Sequence, residues 1–124
     1  MDDAKRDLIR AWLIKSRNDL DTARQISLLP EGHLDTAIYH CQQAAEKAIK
    51  AFLAFHDHEL ERTHDLKRLL QIAATEPDRA EFDEALQLAM DFVTFVLARL
   101  PAEVTPKGSE SSPRLNDPDK SIEL

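Results

Sequence analysis

The stretch His40–Phe55, HCQQAAEKAIKAFLAF, decides the fold because most of its residues favour a helix. It contains no glycine or proline, and alanine, glutamine, glutamate, lysine and leucine are good helix formers. Two apolar stripes run along this helix and its preceding turn: Ala37, Cys41, Ala44, Ala48, Phe52 and Phe55, and Ile38, Ala45, Ile49 and Phe52. A helix that is apolar around most of its girth contacts several neighbours. The stretch therefore predicts a central helix with one narrow polar strip.

The composition favours an all-α fold of one domain. The chain has 124 residues, which is enough to bury a core, and 43% of them are hydrophobic. It has only two glycines, whereas sheets joined by tight turns usually need more.

The charge and the termini indicate a soluble cytoplasmic protein. A net charge of -7 argues against a broad basic face for DNA or RNA, so we expect no DNA partner. The single cysteine cannot form an internal disulfide, which suits a reducing compartment. The charged N-terminus lacks the apolar core of a signal peptide. No stretch approaches the roughly 20 apolar residues that span a membrane.

Helical periodicity predicts three long helices and one short one. The first is expected over residues 3–28 and the second over 33–56. Thr63 is the expected N-cap of a short third helix, and Thr75 that of a fourth, which ends near Arg99. The apolar stripes of the first, third and fourth helices are Ile9, Leu13, Ser16, Leu20, Ala23 and Ser27; Leu66, Leu69, Leu70 and Ala73; and Phe82, Ala85, Ala89, Phe92 or Val93, Val96 and Leu100. Short connections between such helices predict an up-and-down bundle.

The composition divides the chain into a bundle over residues 1–101 and a tail over 102–124. The tail is rich in proline and serine and has no helical period. One interpretation is a disordered terminus. The other is a docking arm that packs on this subunit or another one through the larger apolar groups Val104, Leu115, Ile122 and Leu124.

Three segments together resemble the HEPN family (higher eukaryotes and prokaryotes nucleotide-binding). They are Trp12-Leu13 with residues 19–23, the central residues 39–53, and residues 63–66 followed by Leu69-Leu70. The resemblance covers about residues 6–101. It implies an up-and-down bundle of four or five helices that forms a homodimer and works with a minimal nucleotidyltransferase partner. Some members are toxins of toxin–antitoxin pairs, and some are ribonucleases.

The ribonuclease motif of that family is absent. It consists of an arginine, four to six further residues and a histidine near the end of the last bundle helix. Arg99 lies where the arginine is expected, but no histidine follows it. The resemblance therefore implies a non-catalytic, nucleotide-associated interaction module. The alternative is a divergent metal-independent ribonuclease toxin that uses Arg62, His64 and Arg99.

The polar strip of the central helix is the first candidate ligand site. Glu46 and Lys50 are four residues apart with the acid first, which is the favoured order for a solvated ion pair. In the functional interpretation, Lys47 or Lys50 binds a nucleotide phosphate, and Gln43 donates a directional hydrogen bond. Both interpretations stay open at this point.

His64 and Asp65 are the second candidate site. In one interpretation Asp65 stabilises the helix dipole and His64 orients the third helix against the central one. In the other, His64 is an acid–base group beside Arg62.

Neither a metal nor a cofactor is expected, apart from a nucleotide ligand. His56 and His58 point apart on a helix, although a loop could bring them together, and no second cluster of ligands is present. Cys41 follows the apolar stripe and is expected to be a small core residue rather than a reactive thiol.

Overall fold

The computed structural model describes residues 1–56, 58, 60 and 64–107 (for residue 64, the backbone alone). Its helices are α1 (Asp3–Leu28), α2 (Leu34–Phe55), α3 (His64–Ala73) and α4 (Arg79–Leu97), followed by a 3-10 turn at Ala102–Val104. This described part contains no strand, so the all-α prediction is confirmed.

The helices run alternately up and down, and α2 lies at the centre. Lys5 lies over the Phe55 ring and the Ser16 hydroxyl donates to the Ala44 carbonyl at 2.7 Å, which shows that α1 and α2 are antiparallel. Helix α2 contacts α1, α3 and α4, as its apolar girth predicts. The small side chains of Ser16 and Ala44 allow the close approach of α1 and α2.

The predicted stripes form the core, with one exception in α3. The buried residues of α1, α2 and α4 include Ile9, Leu13, Ala23, Ala37, Cys41, Ala48, Phe82, Phe92 and Val96. In α3, however, Leu70 is 56% exposed, and Ile72 is buried beside Leu69 instead. At 100° per residue Leu70 lies well away from the centre of the buried face, so the prediction for Leu70 was wrong.

A tight turn at Gly32 joins α1 to α2. The Gly32 amide donates to the Leu29 carbonyl at 3.0 Å. A Cβ atom at this position would lie 2.0 Å from the carbonyl oxygen of Ile26, which is backbone and cannot rotate away. Only glycine fits this close approach.

Helix α4 begins at Arg79, and its N-cap is Asp78 rather than Thr75. The Asp78 carboxylate accepts from the Glu81 amide at 2.8 Å, while the Glu81 carboxylate accepts from the Asp78 amide at 3.2 Å. This reciprocal pair is a capping box, which satisfies two amides that would otherwise lack partners. Thr75 instead donates its hydroxyl to the Ile72 carbonyl at the end of α3.

The chain continues to pack on the bundle after Pro101. The 3-10 turn contacts α1, and Val104 within it is fully buried. The first residues of the expected tail thus complete the core, while residues 108–124, with Leu115, Ile122 and Leu124, lie outside the described residues. None of the described helices is long and apolar enough to cross a membrane.

Candidate functional site

A buried carboxylate connects α1 to the polar strip of α2. Asp19 is 8% exposed, and it lies beside the buried apolar stripe of α1. Its Oδ1 is 2.9 Å from His40 Nδ1, and its Oδ2 is 2.5 Å from Lys47 Nζ. Two groups of α2 thus converge on one acid of α1, and the Lys47 ammonium balances the charge of the acid.

The contact with Asp19 selects the tautomer of His40. An ionised carboxylate only accepts hydrogen bonds, so His40 Nδ1 carries the hydrogen and donates it. In the neutral ring Nε2 is then the unprotonated nitrogen. The same carboxylate-to-imidazole arrangement orients histidines that exchange protons in enzymes. The contact between Asp19 and His40 also holds α1 and α2 together, because each of the two side chains satisfies a polar group of the other.

The same pair of helices also carries an aromatic ring with two ammonium groups close to it. The Lys50 Nζ is 4.7 Å from the centroid of the Trp12 ring, and the Lys15 Nζ is 5.8 Å from it. Trp12 is half-buried, so part of its ring is open to solvent. The α1–α2 face is defined here as Trp12, Lys15 and Asp19 of α1 with His40, Lys47 and Lys50 of α2.

The Glu46–Lys50 ion pair that the spacing predicts is not formed. Lys50 lies over Trp12 instead, because the ring of the neighbouring helix is within its reach. Glu46 is exposed and accepts a long hydrogen bond of 3.5 Å from Gln43 Nε2. Of the four predicted strip residues, the structure places Lys47 and Lys50 against α1 and leaves Glu46 on the solvent side.

The other predicted site residues are not brought together in the described part of the chain. Asp65 is buried in the first turn of α3, whose first residue is His64, and Arg62 lies outside the described residues. Arg99 follows α4, where its guanidinium stacks 3.4 Å from the centroid of the Phe95 ring and donates to the Phe95 carbonyl. The grouping of Arg62, His64 and Arg99 stays a prediction.

His56 and His58 do not form a metal site with the described residues. Their ring centroids are 5.2 Å apart, but no group of three metal-ligating side chains occurs within residues 1–56, 58, 60 and 65–107. His56 Nε2 donates to the Arg99 carbonyl at 2.7 Å, and this contact ties the end of α2 to the end of α4. Asp57 lies outside the described residues.

Cys41 is a core residue, as its place on the stripe predicts. It is fully buried, and burial raises the pKa of its thiol from 9.0 to about 12. A thiol with so high a pKa stays protonated and does not act as a nucleophile near neutral pH.

Sequence reasoning missed Asp19, His40 and Trp12 as site residues and used Trp12 and residues 19–23 only as motifs of the family resemblance. A usable signal was present. His40 and Lys47 are seven residues apart and therefore share one side of α2, next to Ala44. Asp19 lies beside the apolar stripe of α1, which is the antiparallel neighbour of α2. An acid at such a position is expected to face the pair formed by His40 and Lys47.

Comparison with known families decides what kind of domain this is. The profile of the HEPN domain matches residues 9–104. The chain belongs to the HEPN domain family. HEPN domains are a family of nucleotide-binding and ribonuclease-like modules, and the match runs from within α1 to the end of the buried 3-10 turn. No curated protein and no solved structure matches the chain.

Proposed function

We propose that this HEPN domain binds a nucleotide on the α1–α2 face and acts as a non-catalytic interaction module. The observation that carries the proposal is the partly buried Trp12 ring, with the ammonium groups of Lys15 and Lys50 within about 6 Å of its centroid. Aromatic rings stack on bases with about 1–3 kcal/mol per base, and ammonium groups bind phosphates. Membership of a nucleotide-binding family supports the same assignment.

The three lysines of the face have different roles in this proposal. The Lys47 ammonium is held by the buried Asp19 carboxylate, so it stays on the protein and shapes the floor of the site. Lys50 makes only a cation–π contact at an exposed position, which is worth about 0.5–1 kcal/mol. A phosphate can therefore draw Lys50 and Lys15 from the ring while a base takes their place on it.

Trp12 provides the measurement because it is the only tryptophan of the chain. ATP is titrated into the full chain while the fluorescence of Trp12 is excited at a wavelength where ATP does not absorb. We expect saturable quenching, and calorimetry with ATP should give the same affinity. Lys50→Ala should weaken binding about tenfold, since hydrogen bonds to charged groups are worth about 1.5–3 kcal/mol.

Lys67→Ala is the matched control, because Lys67 is an exposed lysine of α3, away from the face. It should leave the quenching unchanged. Linear, non-saturating quenching, or an equal loss of affinity in both variants, would remove the nucleotide from the proposal.

The non-catalytic part of the proposal rests on the missing arginine-to-histidine motif and on the acidic charge of the chain. Purified protein incubated with a structured RNA should leave the RNA intact. Cleavage that is lost in His64→Ala would instead support the divergent ribonuclease toxin with Arg62, His64 and Arg99.

We further propose a homodimer that works with a minimal nucleotidyltransferase, as in toxin–antitoxin pairs. The family resemblance supports this, and so do the half-exposed Leu8 and Leu53, which lie at the same end of the antiparallel α1–α2 pair. If a nucleotidyltransferase is encoded beside this chain, the two proteins should copurify at constant stoichiometry. Separate elution of the two would count against the partnership.

A further inference from the structure

A concave surface lies on the side of α1 that faces α4. This α1–α4 groove is lined by Leu13, Arg17, Leu20, Arg24, Val93 and Leu97. It has a volume of about 230 Å³, and Thr105 and Pro106, at the start of the C-terminal segment, also line it. The groove shares no residue with the α1–α2 face, so it is a separate feature.

Arg17 lines this groove, and its guanidinium has unused hydrogen-bonding capacity. Its Nη1 donates to the Lys107 carbonyl at 2.8 Å. Its Nη2 is buried, and no acceptor among the described residues lies within hydrogen-bond distance of it. A guanidinium is always charged, and a buried donor without an acceptor is rare in proteins. The Arg17 side chain therefore presents a donor that an anionic acceptor would satisfy.

Arg24 adds a second positive charge two helical turns further along α1. Its Nη1 is 2.9 Å from the carboxylate of Asp21, which is exposed. Its Nη2 lies 3.3 Å from the sulfur of Met90, and a thioether is a weak acceptor. An oxygen of a carboxylate or phosphate would replace that sulfur as the better partner.

Apart from the two arginines and the threonines Thr94 and Thr105, the lining is apolar, which limits the chemistry of a ligand. Leu13, Leu20, Val93 and Leu97 line the same groove as the two arginines. Inorganic phosphate would leave these walls uncovered, and a neutral hydrocarbon would leave Arg17 Nη2 without an acceptor. The volume lies below the roughly 300–1,000 Å³ of sites for drug-sized ligands, so the ligand is small.

We propose that the α1–α4 groove binds a small amphiphilic anion. Its carboxylate or phosphate group accepts from Arg17 Nη2 and Arg24, and its apolar body packs between α1 and α4. This inference goes beyond nucleotide binding on the α1–α2 face and does not depend on it.

Calorimetric titration of the full chain with octanoate tests the proposal. We expect saturable binding of one octanoate per chain. Arg17→Met should weaken it at least about tenfold, because methionine keeps the apolar stem and removes the charged donor. Arg24→Met should weaken it as well, by a smaller factor, because one of its guanidinium nitrogens stays with Asp21 in the wild type. Lys5→Met removes a cation from the exposed start of the same helix and should change nothing.

Two further probes separate the charge from the apolar body. Octanol lacks the anion, and inorganic phosphate lacks the apolar body, so each should bind at least about tenfold more weakly than octanoate. Octyl phosphate should bind as octanoate does, since the proposal concerns the shared anionic chemistry. The far-ultraviolet circular dichroism and the melting temperature of each variant show whether it is folded, and Arg24→Met is informative even if Arg17→Met is not folded.

Several results would overturn the proposal. One is the absence of saturable octanoate binding to the full chain, and another is equal binding by the wild type and both arginine variants. A third is octanol binding as tightly as octanoate. The last is octanoate binding that occurs only after Leu115, Ile122 and Leu124 are all replaced by serine. That result would mean that the C-terminal segment of the chain itself occupies the groove.

Discussion

At the scale of single residues, the α1–α2 face depends on one carboxylate. Asp19 satisfies a histidine and a lysine at once while it lies almost wholly out of water. Taking a charged group out of water is costly unless it is paired and hydrogen-bonded, and both conditions hold here. The face is thus positioned by a group that contacts no ligand in the proposed function.

Replacing Asp19 by asparagine should therefore destabilise the fold. We expect the free energy of unfolding to fall by about 1.5–3 kcal/mol, because Lys47 loses its counter-charge and His40 loses an ionised acceptor. Urea denaturation followed by circular dichroism gives the value. Asp21→Asn is the control, since Asp21 forms an exposed pair with Arg24 that is worth only about 0–1 kcal/mol. Equal losses of unfolding free energy in both variants would show that the burial of Asp19 adds nothing to stability.

The raised pKa of the buried Cys41 thiol predicts that the folded state loses stability at high pH. Its pKa is about 12 in the fold, above its usual 9.0, so the folded state holds the proton more tightly than the unfolded state. This contribution is complete below about pH 9 and is lost as the pH rises towards 12. The slope is about 1.4 kcal/mol for each pH unit. Unfolding free energies at pH 8 and pH 10 should differ less in Cys41→Ala than in the wild type, and identical differences would contradict the burial effect.

At the scale of elements, the α1–α2 connection depends on Gly32. Gly32→Ala places a methyl group against the Ile26 carbonyl, which is backbone, so the turn or the end of α1 must move. We expect a loss of about 1–3 kcal/mol in the free energy of unfolding, as for other overpacked sites. The exposed neighbouring residue provides the control Glu31→Ala, which should stay within about 0.5 kcal/mol of the wild type. A neutral Gly32→Ala would show that the turn adjusts at no cost.

Sequence periodicity was sufficient to predict the number and order of the helices, but it was insufficient for all of their bounds and for the interactions between them. Helix α1 was predicted with its observed bounds because its apolar stripe continues without interruption from Ile9 to Ser27. The start of α4 was misplaced because Thr75 and Asp78 are both good caps, and the return bond from Glu81 decides between them. The Asp19 cluster required the pairing of α1 with α2, which a single-helix pattern does not contain.

At the scale of the whole molecule, the family resemblance predicts a dimer. Light scattering coupled to size exclusion should give a mass of about 28 kDa, twice the 14.1 kDa of one chain. Leu53→Glu should shift the mass towards one chain, because it adds a charge to the exposed end of the α1–α2 pair. Leu70→Glu changes a similarly exposed leucine of α3 and should leave the dimer intact. A monomeric wild type would contradict the proposed dimer. Loss of the dimer in Leu70→Glu alone would place the subunit interface on α3 instead of on the α1–α2 pair.

The short link through Gly32 and the close approach of Ser16 to Ala44 have a consequence for the order of folding. Contacts between neighbours in sequence close small loops, which form faster than distant contacts. The most extensive contact in the described chain joins α1 to α2, while α1 and α3 do not touch. We therefore expect the α1–α2 hairpin to form first and α3 to join last. In hydrogen exchange the amides around Ala44 should open most slowly and those of α3 most readily, and the reverse order would refute this folding sequence.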